Sequence, residues 1–224
     1  MSKLKFAFLF VLVSFILISC QKETDSPGPT GGNGQGNGNT TSYNPTTVGT
    51  WWKYKDSTSG GLSTSTIANR TKTINGILYS AMVSDVAPDT GWASSAQPNY
   101  YVYAKGISPN TGASYDILFH YLNDTASVGY SWRYIAGQGN GFTAYIRTTI
   151  SERNISMTVA GKSYTNVIHT RVLWTYDVFG SLMDAMVYDY FIAKGVGIIK
   201  VRSEGLTLLA GFKGCSDLID YRIK

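Results

Sequence analysis

The stretch ISMTVAGKSYTNVIHTRVLWTY, residues 155–176, decides the class of fold. Ile155, Met157 and Val159 alternate with small polar residues, and the same period-two alternation returns between residues 168 and 176. Strict alternation of this kind predicts a half-buried β-strand, because successive side chains of a strand point to opposite faces. Ala160-Gly161 separates the two runs. The stretch therefore predicts an antiparallel hairpin.

A second hairpin is predicted around Asn75-Gly76, which separates the strand-like runs 63–74 and 77–85. Asn and Gly both tolerate the positive φ angles that a two-residue hairpin turn requires. No convincing amphipathic helix is found in the sequence, and the stretch 180–186 is the one place where a short helix is an alternative. The patterning therefore predicts an all-β fold of antiparallel sheets.

Three short motifs occur twice in the same order. VGTWWKY (48–54) matches VGYSWRY (128–134), INGILY (74–79) matches VAGKSY (159–164), and Ala-Lys-Gly occurs at 104–106 and at 193–195. We interpret residues 43–224 as one internally duplicated β domain, with repeats at roughly 48–125 and 128–212. Two similar halves predict a curved sheet or half-barrel, or a sandwich of two sheets.

The N-terminus carries an export signal. Lys3 and Lys5 precede an uncharged apolar run from Phe6 to Ile18, which is too short to span a bilayer as a helix and is typical of a cleaved signal peptide, residues 1–19. Leu17-Ile18-Ser19-Cys20 resembles a bacterial lipobox. That resemblance implies cleavage before Cys20 and acylation of this cysteine, for example with palmitate, so that the mature chain is anchored to a membrane by lipid.

The residues that follow Cys20 indicate which membrane would carry the anchored protein. Gln21-Lys22-Glu23-Thr24-Asp25 resembles the export signal of surface lipoproteins of the Bacteroidota, although Thr24 interrupts its acidic pair. The Trp-containing first strand and the sequence AKGVGIIK (193–200) are also similar to uncharacterised β-rich lipoproteins of that phylum. The resemblance implies the outer membrane and the cell surface, with the periplasmic face as the alternative. Residues 26–42, rich in Gly and Asn, complete a predicted flexible linker, residues 20–42.

Charge and cysteine content exclude some classes of protein. Removal of Lys3 and Lys5 with the signal peptide lowers the formal charge of +5 to +3, and the remaining cations are scattered, so we expect no nucleic-acid partner. Acylation of Cys20 leaves Cys215 as the one other cysteine. The sequence therefore predicts no disulfide within the chain.

No catalytic or metal-binding constellation is recognisable. His120 and His169 fall in different strands without a neighbouring His or Cys at a useful spacing, and Asp184 and Asp189 point to opposite faces of one strand if its alternation is regular. We therefore expect no catalytic residue, no metal, no cofactor and no enzymatic activity. An unrecognised hydrolase stays open as an alternative.

The composition favours a binding surface, since 13% of the residues are aromatic and 15% are charged. Trp92, Tyr100 and Tyr101 are candidate ligand-facing aromatics, because exposed rings suit a carbohydrate or a protein partner. A curved sheet that carries an acyl chain, like the half-barrels of lipoprotein carriers, is the alternative. Asp124-Thr125-Ala126 and Asp56-Ser57-Thr58 resemble the O-glycosylation sequence of Bacteroidota, which makes Thr125 and Ser57 candidate glycosylation sites.

Overall fold

A computed structural model describes residues 41–57, 59–87, 89–107, 114–139 and 141–224. The predicted signal peptide, Cys20 and all but the last two residues of the predicted linker lie outside the described residues. The described chain is organised in strands: β1 Trp51–Asp56, β2 Leu62–Ile74, β3 Ile77–Ser84, β4 Gly91–Ala96, β5 Asn99–Ile107, β6 Ser114–Asn123, β7 Ser131–Gly139, β8 Phe142–Val159, β9 Lys162–Val178, β10 Ser181–Ala193, β11 Gly197–Gly205 and β12 Lys213–Arg222.

The strands form one closed antiparallel barrel. Each strand pairs with the strand before and after it in sequence, and β1 closes the ring against β12. The prediction of an all-β antiparallel fold is confirmed, but the single closed sheet is neither a half-barrel nor a sandwich. Residues 181–193 form β10, so the short helix considered at 180–186 is wrong. A 3₁₀ helix at Thr207–Leu209 precedes β12, and within the described ranges no helix has the length and apolarity to cross a membrane.

Both predicted hairpin turns have the backbone geometry that their sequences require. The φ angles of Asn75 and Gly76 are 50° and 77°, and those of Ala160 and Gly161 are 48° and 78°. Two successive residues in the left-handed region match the right-handed twist of the flanking strands. The turns therefore set the registers of β2 with β3 and of β8 with β9.

Two of the three repeated motifs coincide in structure. Gly49 and Gly129 have φ angles of 84° and 86°, and both precede the first strand of their half. The third motif differs: Gly106 lies inside β5 opposite Tyr115, whereas Gly195 lies in the turn after β10 with φ 77°. The predicted repeats are separated at the β6–β7 turn, with six strands on each side. The internal duplication stays a prediction.

The two halves share their apolar interior. The larger cluster of buried side chains contains Tyr100 and Ile117 from the first half together with Ile146 and Trp174 from the second. A smaller cluster around Trp52 also draws on both halves. Neither half would keep its buried surface alone.

The chain enters and leaves the barrel at one end, called here the tethered end because the predicted anchor precedes it in sequence. The N–H of Gly195, after β10, donates to the carbonyl of Ser42 at 2.8 Å, and the N–H of Tyr43 donates to the hydroxyl of Tyr100 at 3.4 Å. At the C-terminus, the N–H of Lys224 donates to the hydroxyl of Thr50 at 3.2 Å. The segment that follows the predicted linker is therefore fixed across the tethered end.

Candidate functional site

An apolar cavity of about 150 Å³ lies inside the barrel. It extends from Asn44 at the tethered end towards Gly91 and Ala104. Most of its wall is aromatic or aliphatic, and includes Val102, Phe119, Tyr121, Trp174, Tyr190 and Ile198. An apolar cavity of this volume holds a group about the size of benzene, and such a cavity stays dry when it is empty.

One polar group of the cavity wall lacks a partner. Trp174 on β9 is 4% exposed, and its indole N–H has no hydrogen-bond partner among the described residues. A buried donor without an acceptor destabilises a protein by about 1–3 kcal/mol. Trp174 therefore brings one unpaired hydrogen-bond donor to the set of residues that line the cavity.

Two further polar rings of the wall, Trp52 and Tyr54, already have hydrogen-bond partners. The indole N–H of Trp52 donates to the carbonyl of Val196 at 2.6 Å, and the hydroxyl of Tyr54 donates to the carbonyl of Ile198 at 2.9 Å. Burial also raises the pKa of Tyr54, so its hydroxyl stays protonated. Both rings present only apolar surface to the cavity.

Two of the first described residues, Tyr43 and Asn44, lie at the tethered end of the cavity. Tyr43 packs edge-to-face on Tyr100 with their ring centroids 6.2 Å apart. The side-chain amide of Asn44, which lines the cavity, donates to the carbonyl of Ser94 at 3.5 Å. The segment that joins the barrel to its predicted anchor is thus also part of the cavity wall.

Of the three predicted ligand-facing aromatics, Tyr100 is misplaced. Its side chain is 0% exposed, and its hydroxyl donates to Asp124 Oδ2 at 2.7 Å. Burial and this carboxylate together raise the pKa of Tyr100 to about 12. Val102, two residues further along β5, lines the cavity. Because side chains two residues apart in a strand point to the same face, Tyr100 also faces the interior.

Trp92 and Tyr101 do lie on the outer wall, where they belong to an aromatic patch formed by Trp92, Tyr101, Tyr103 and His120. Trp92 on β4 is directly opposite Tyr103 on β5, and Nζ of Lys72 lies 4.3 Å and 4.4 Å from their ring centroids. Tyr101 stacks on His120 at 4.5 Å. Burial lowers the pKa of His120 to about 4, although the carbonyl of Leu122 acts in the opposite direction, so its ring is neutral.

Asp184 and Asp189 share one face of β10, contrary to the expectation from regular alternation. Asp184 is opposite Thr175 and Asp189 is opposite Arg171, and a bulge between residues 184 and 186 shifts the register. The carboxylates remain apart in function: Asp184 Oδ1 accepts from the hydroxyl of Thr175 at 2.7 Å, while Asp189 Oδ1 lies 2.9 Å from Nε2 of His169.

His169 is held between two carboxylates. Its Nδ1 lies 2.9 Å from Glu152 Oε2, its Nε2 contacts Asp189, and its ring stacks on Phe191 at 4.4 Å. Burial acts to lower the pKa of His169, but the hydrogen bonds to Asp189 and Glu152 outweigh it and raise this pKa. Within the described ranges, no group of three or more His, Cys, Asp or Glu side chains could hold a metal ion.

The two candidate glycosylation residues are both exposed in turns. Thr125 follows β6, and its hydroxyl donates to Asn123 Oδ1 at 2.9 Å. Ser57 follows β1, and its hydroxyl donates to Asp217 Oδ2 at 3.3 Å.

The prediction of no disulfide within the chain is wrong, because Cys215, a buried residue of β12, is disulfide-bonded.

No family model and no curated protein matches the sequence. Among solved structures, a "putative lipoprotein" of Parabacteroides distasonis ATCC 8503 is similar with a TM-score of 0.45 and 8% identity over 82% of this chain and 100% of its own. A "putative exported protein with YmcC-like fold" of Bacteroides fragilis NCTC 9343 is similar with a TM-score of 0.43 and 9% identity over 81% of this chain and 99% of its own. Likenesses of this size support no conclusion about the activity of this chain.

Proposed function

We propose that the protein is an outer-membrane lipoprotein that is anchored through Cys20 and exposed at the cell surface. The apolar run that ends at a lipobox supports the anchor, and the residues after Cys20 support the location. Cys20 is the only cysteine besides Cys215. Because acylation consumes the thiol of Cys20, the lipid and a disulfide to Cys20 are mutually exclusive.

The Cys20→Ser variant tests the anchor. We expect it to leave the membrane fraction while the barrel keeps the melting temperature of the lipidated protein, in which Cys20 is acylated and cannot form a disulfide. Mass spectrometry of the native protein after reduction should then show the acyl chains on the N-terminal peptide, and protease treatment of intact cells should degrade a surface-exposed barrel. A native N-terminal peptide without lipid mass would refute the anchor, and protection of the barrel in intact cells would place it on the periplasmic face.

We propose further that the barrel binds, without catalysis, an amphiphile whose apolar end enters the cavity and whose oxygen accepts a hydrogen bond from Trp174. The observation that carries this proposal is the unpartnered indole N–H of Trp174, a residue that lines a mostly apolar cavity. The cavity volume is below the range of about 300–1,000 Å³ for drug-sized ligands, so only part of the molecule is enclosed. An acyl chain with a carboxyl or ester group has this chemistry.

Titration with cis-parinaric acid, a fluorescent fatty acid, tests the cavity. Trp174→Phe keeps an aromatic ring but removes the donor, and loss of one hydrogen bond should weaken binding about 5-fold. The control Trp132→Phe removes the hydrogen bond of Trp132 to the carbonyl of His120, and neither of these two residues lines the cavity. This control should lower stability without changing affinity.

A second variant fills the cavity. Ala104→Phe places a ring in the space that the ligand would occupy, so binding should fall more than 10-fold while the melting temperature shows whether the barrel still folds. Xenon binding, followed by NMR, gives an independent measure of apolar volume. Unchanged fatty-acid affinity in both Trp174→Phe and a folded Ala104→Phe would refute the proposed site.

Carbohydrate binding on the aromatic patch is the second candidate function. The adjacent rings of Trp92 and Tyr103 favour it. Because the ammonium group lies over both rings, a sugar must displace it in order to stack. Lys72→Ala should therefore increase retention on a polysaccharide column, and Trp92→Ala should abolish it. Equal retention of both variants and of the parent protein would reject this function.

A further inference from the structure

A groove on the outer wall, separate from the cavity and from the aromatic patch, carries two adjacent arginines. Its volume is about 520 Å³, and it is lined by side chains of β7, β8, β9 and β10 together with Thr207. Arg133 on β7 and Arg147 on β8 are direct cross-strand neighbours, and both are exposed. Like charges placed directly opposite each other destabilise a sheet. A negative charge beside the two guanidinium groups would therefore offset their repulsion.

The described part of the protein supplies no direct ion pair to either guanidinium group. Among the described residues, neither Arg133 nor Arg147 has a carboxylate oxygen within the 4.0 Å of an ion pair, and Arg147 makes no hydrogen bond through its side chain. Some other cations of the outer wall are paired, as in Lys105 with Asp116 at 2.8 Å.

The guanidinium of Arg133 is also held in place. Its central carbon lies 4.8 Å from the ring centroid of Tyr145, a cation–π contact that leaves the N–H groups free to donate. Next to the arginines the groove is apolar, since Leu173 is opposite Arg147 across the β8–β9 pair and Leu182 and Met183 complete that side. The Asp184 carboxylate in the groove accepts the hydrogen bond of Thr175.

We propose that Arg133 and Arg147 together bind a phosphate or sulfate ester, whose organic part lies over Leu173 and Leu182. Two neighbouring guanidinium groups offer the paired N–H donors that a tetrahedral oxyanion accepts in bidentate fashion. The same chemistry is present in the headgroup of an anionic phospholipid and in a soluble phosphorylated or sulfated sugar. The site is independent of the cavity, so failure of one proposal leaves the other intact.

The mature chain with Cys20→Ser, which removes the lipid anchor, is the protein for the test. Isothermal titration with inorganic sulfate and with glucose 6-phosphate, and flotation with phosphatidylglycerol vesicles, distinguish the soluble ester from the membrane headgroup. We expect Arg133→Ala/Arg147→Ala to weaken binding at least 10-fold in whichever arm the parent protein binds. Replacement of both by Lys, which keeps the charge but loses the bidentate geometry, should give an intermediate affinity.

The control Arg70→Ala/Arg222→Ala makes the same change in net charge at two other exposed arginines. Equal losses in the control and in the groove variant would show that binding follows net charge alone and would overturn the site. All three arms are measured at 50–100 mM salt, a range in which charge-assisted contacts keep about half of their strength or more. If the parent protein shows no measurable binding in any arm, the proposed site is also overturned.

Discussion

Gly49 and Gly129 make the same hydrogen bonds at the starts of the two halves of the barrel. The N–H of Gly49 donates to the carbonyl of Ile67 at 2.9 Å, and that of Gly129 donates to the carbonyl of Ile150 at 2.8 Å. The residue after each glycine also accepts from the N–H of the same isoleucine, at 2.8 Å and 3.0 Å. This coincidence favours the internal duplication.

Alanine at either glycine should destabilise the barrel by a similar amount. An added methyl group at Gly49 meets nothing closer than Lys224 Cε at 3.6 Å, and at Gly129 it meets nothing within 4 Å. The penalty therefore comes from the positive φ and should be about 1 kcal/mol, or about 2–4 °C in melting temperature. Calorimetry of both variants checks this. Strongly unequal losses would speak against equivalent positions.

His169 should make the barrel less stable as the pH rises. Its pKa is raised in the folded state, so its contribution to stability is complete below the unfolded value of about 6.5 and is lost as the pH rises through the higher folded value. Urea unfolding of His169→Gln between pH 6 and 9 should give a flatter profile than the parent protein. Identical slopes would show that Glu152 and Asp189 do not hold a proton on this ring.

His120 should have the opposite effect at lower pH. Because burial lowers its pKa to about 4, its contribution is complete above the unfolded value of about 6.5 and is lost as the pH falls towards the folded value. His120→Phe, which keeps a ring against Tyr101, should therefore lose less stability than the parent protein between pH 6.5 and 4. A profile steeper than that of the parent would contradict a neutral buried imidazole.

Lys200 and Asp217 form a buried ion pair across β11 and β12. Nζ of Lys200 lies 2.9 Å from Asp217 Oδ1, and both side chains are nearly nine-tenths buried. Asp217→Ala leaves the ammonium group buried without its partner and should destabilise the barrel by about 3–5 kcal/mol. The double variant Lys200→Met/Asp217→Leu should recover most of this loss in urea unfolding. No recovery would mean that the carboxylate acts through another contact.

A fragment starting at Thr125 should not fold alone. It would expose the free edges of β7 and β12 and would lose the share of the larger apolar cluster that comes from Tyr100 and Ile117. We expect an insoluble or non-cooperative fragment, to be checked by circular dichroism and calorimetry. A soluble fragment that melts cooperatively would establish two independent domains.

The sequence was sufficient for the strands but not for their closure. Two kinds of prediction depend on neighbouring residues only: the strands, from the alternation between Ile155 and Tyr176, and the hairpin turns, from Asn75 and Ala160. Both are confirmed. Closure depends on the pairing of β1 with β12, which are separated by almost the whole domain. No local pattern encodes such a pairing, so a curved open sheet and a closed barrel have the same periodicity.

The candidate site residues could likewise be placed from the sequence only as far as local patterns allowed. Parity alone placed Asp184 and Asp189 on opposite faces, and one bulge reversed this result. Tyr100 and Tyr101 are adjacent and aromatic, and only the inward direction of Val102 shows which of the two is buried. Trp174 belongs to a regular alternating run, and nothing in that run indicates that its N–H lacks an acceptor.

The proposed anchor would have a mechanical consequence for the barrel. A pull on an anchored chain reaches the barrel through Ser42 and then acts along β1, which is paired on both sides, at five positions with β2 and at six with β12. Hydrogen bonds between antiparallel strands are perpendicular to the strands. A force along β1 therefore acts in shear on two rows of hydrogen bonds, those with β2 and those with β12, and the bonds of both rows share the force. Under flow or contact forces, the barrel should therefore resist extension until both rows break together.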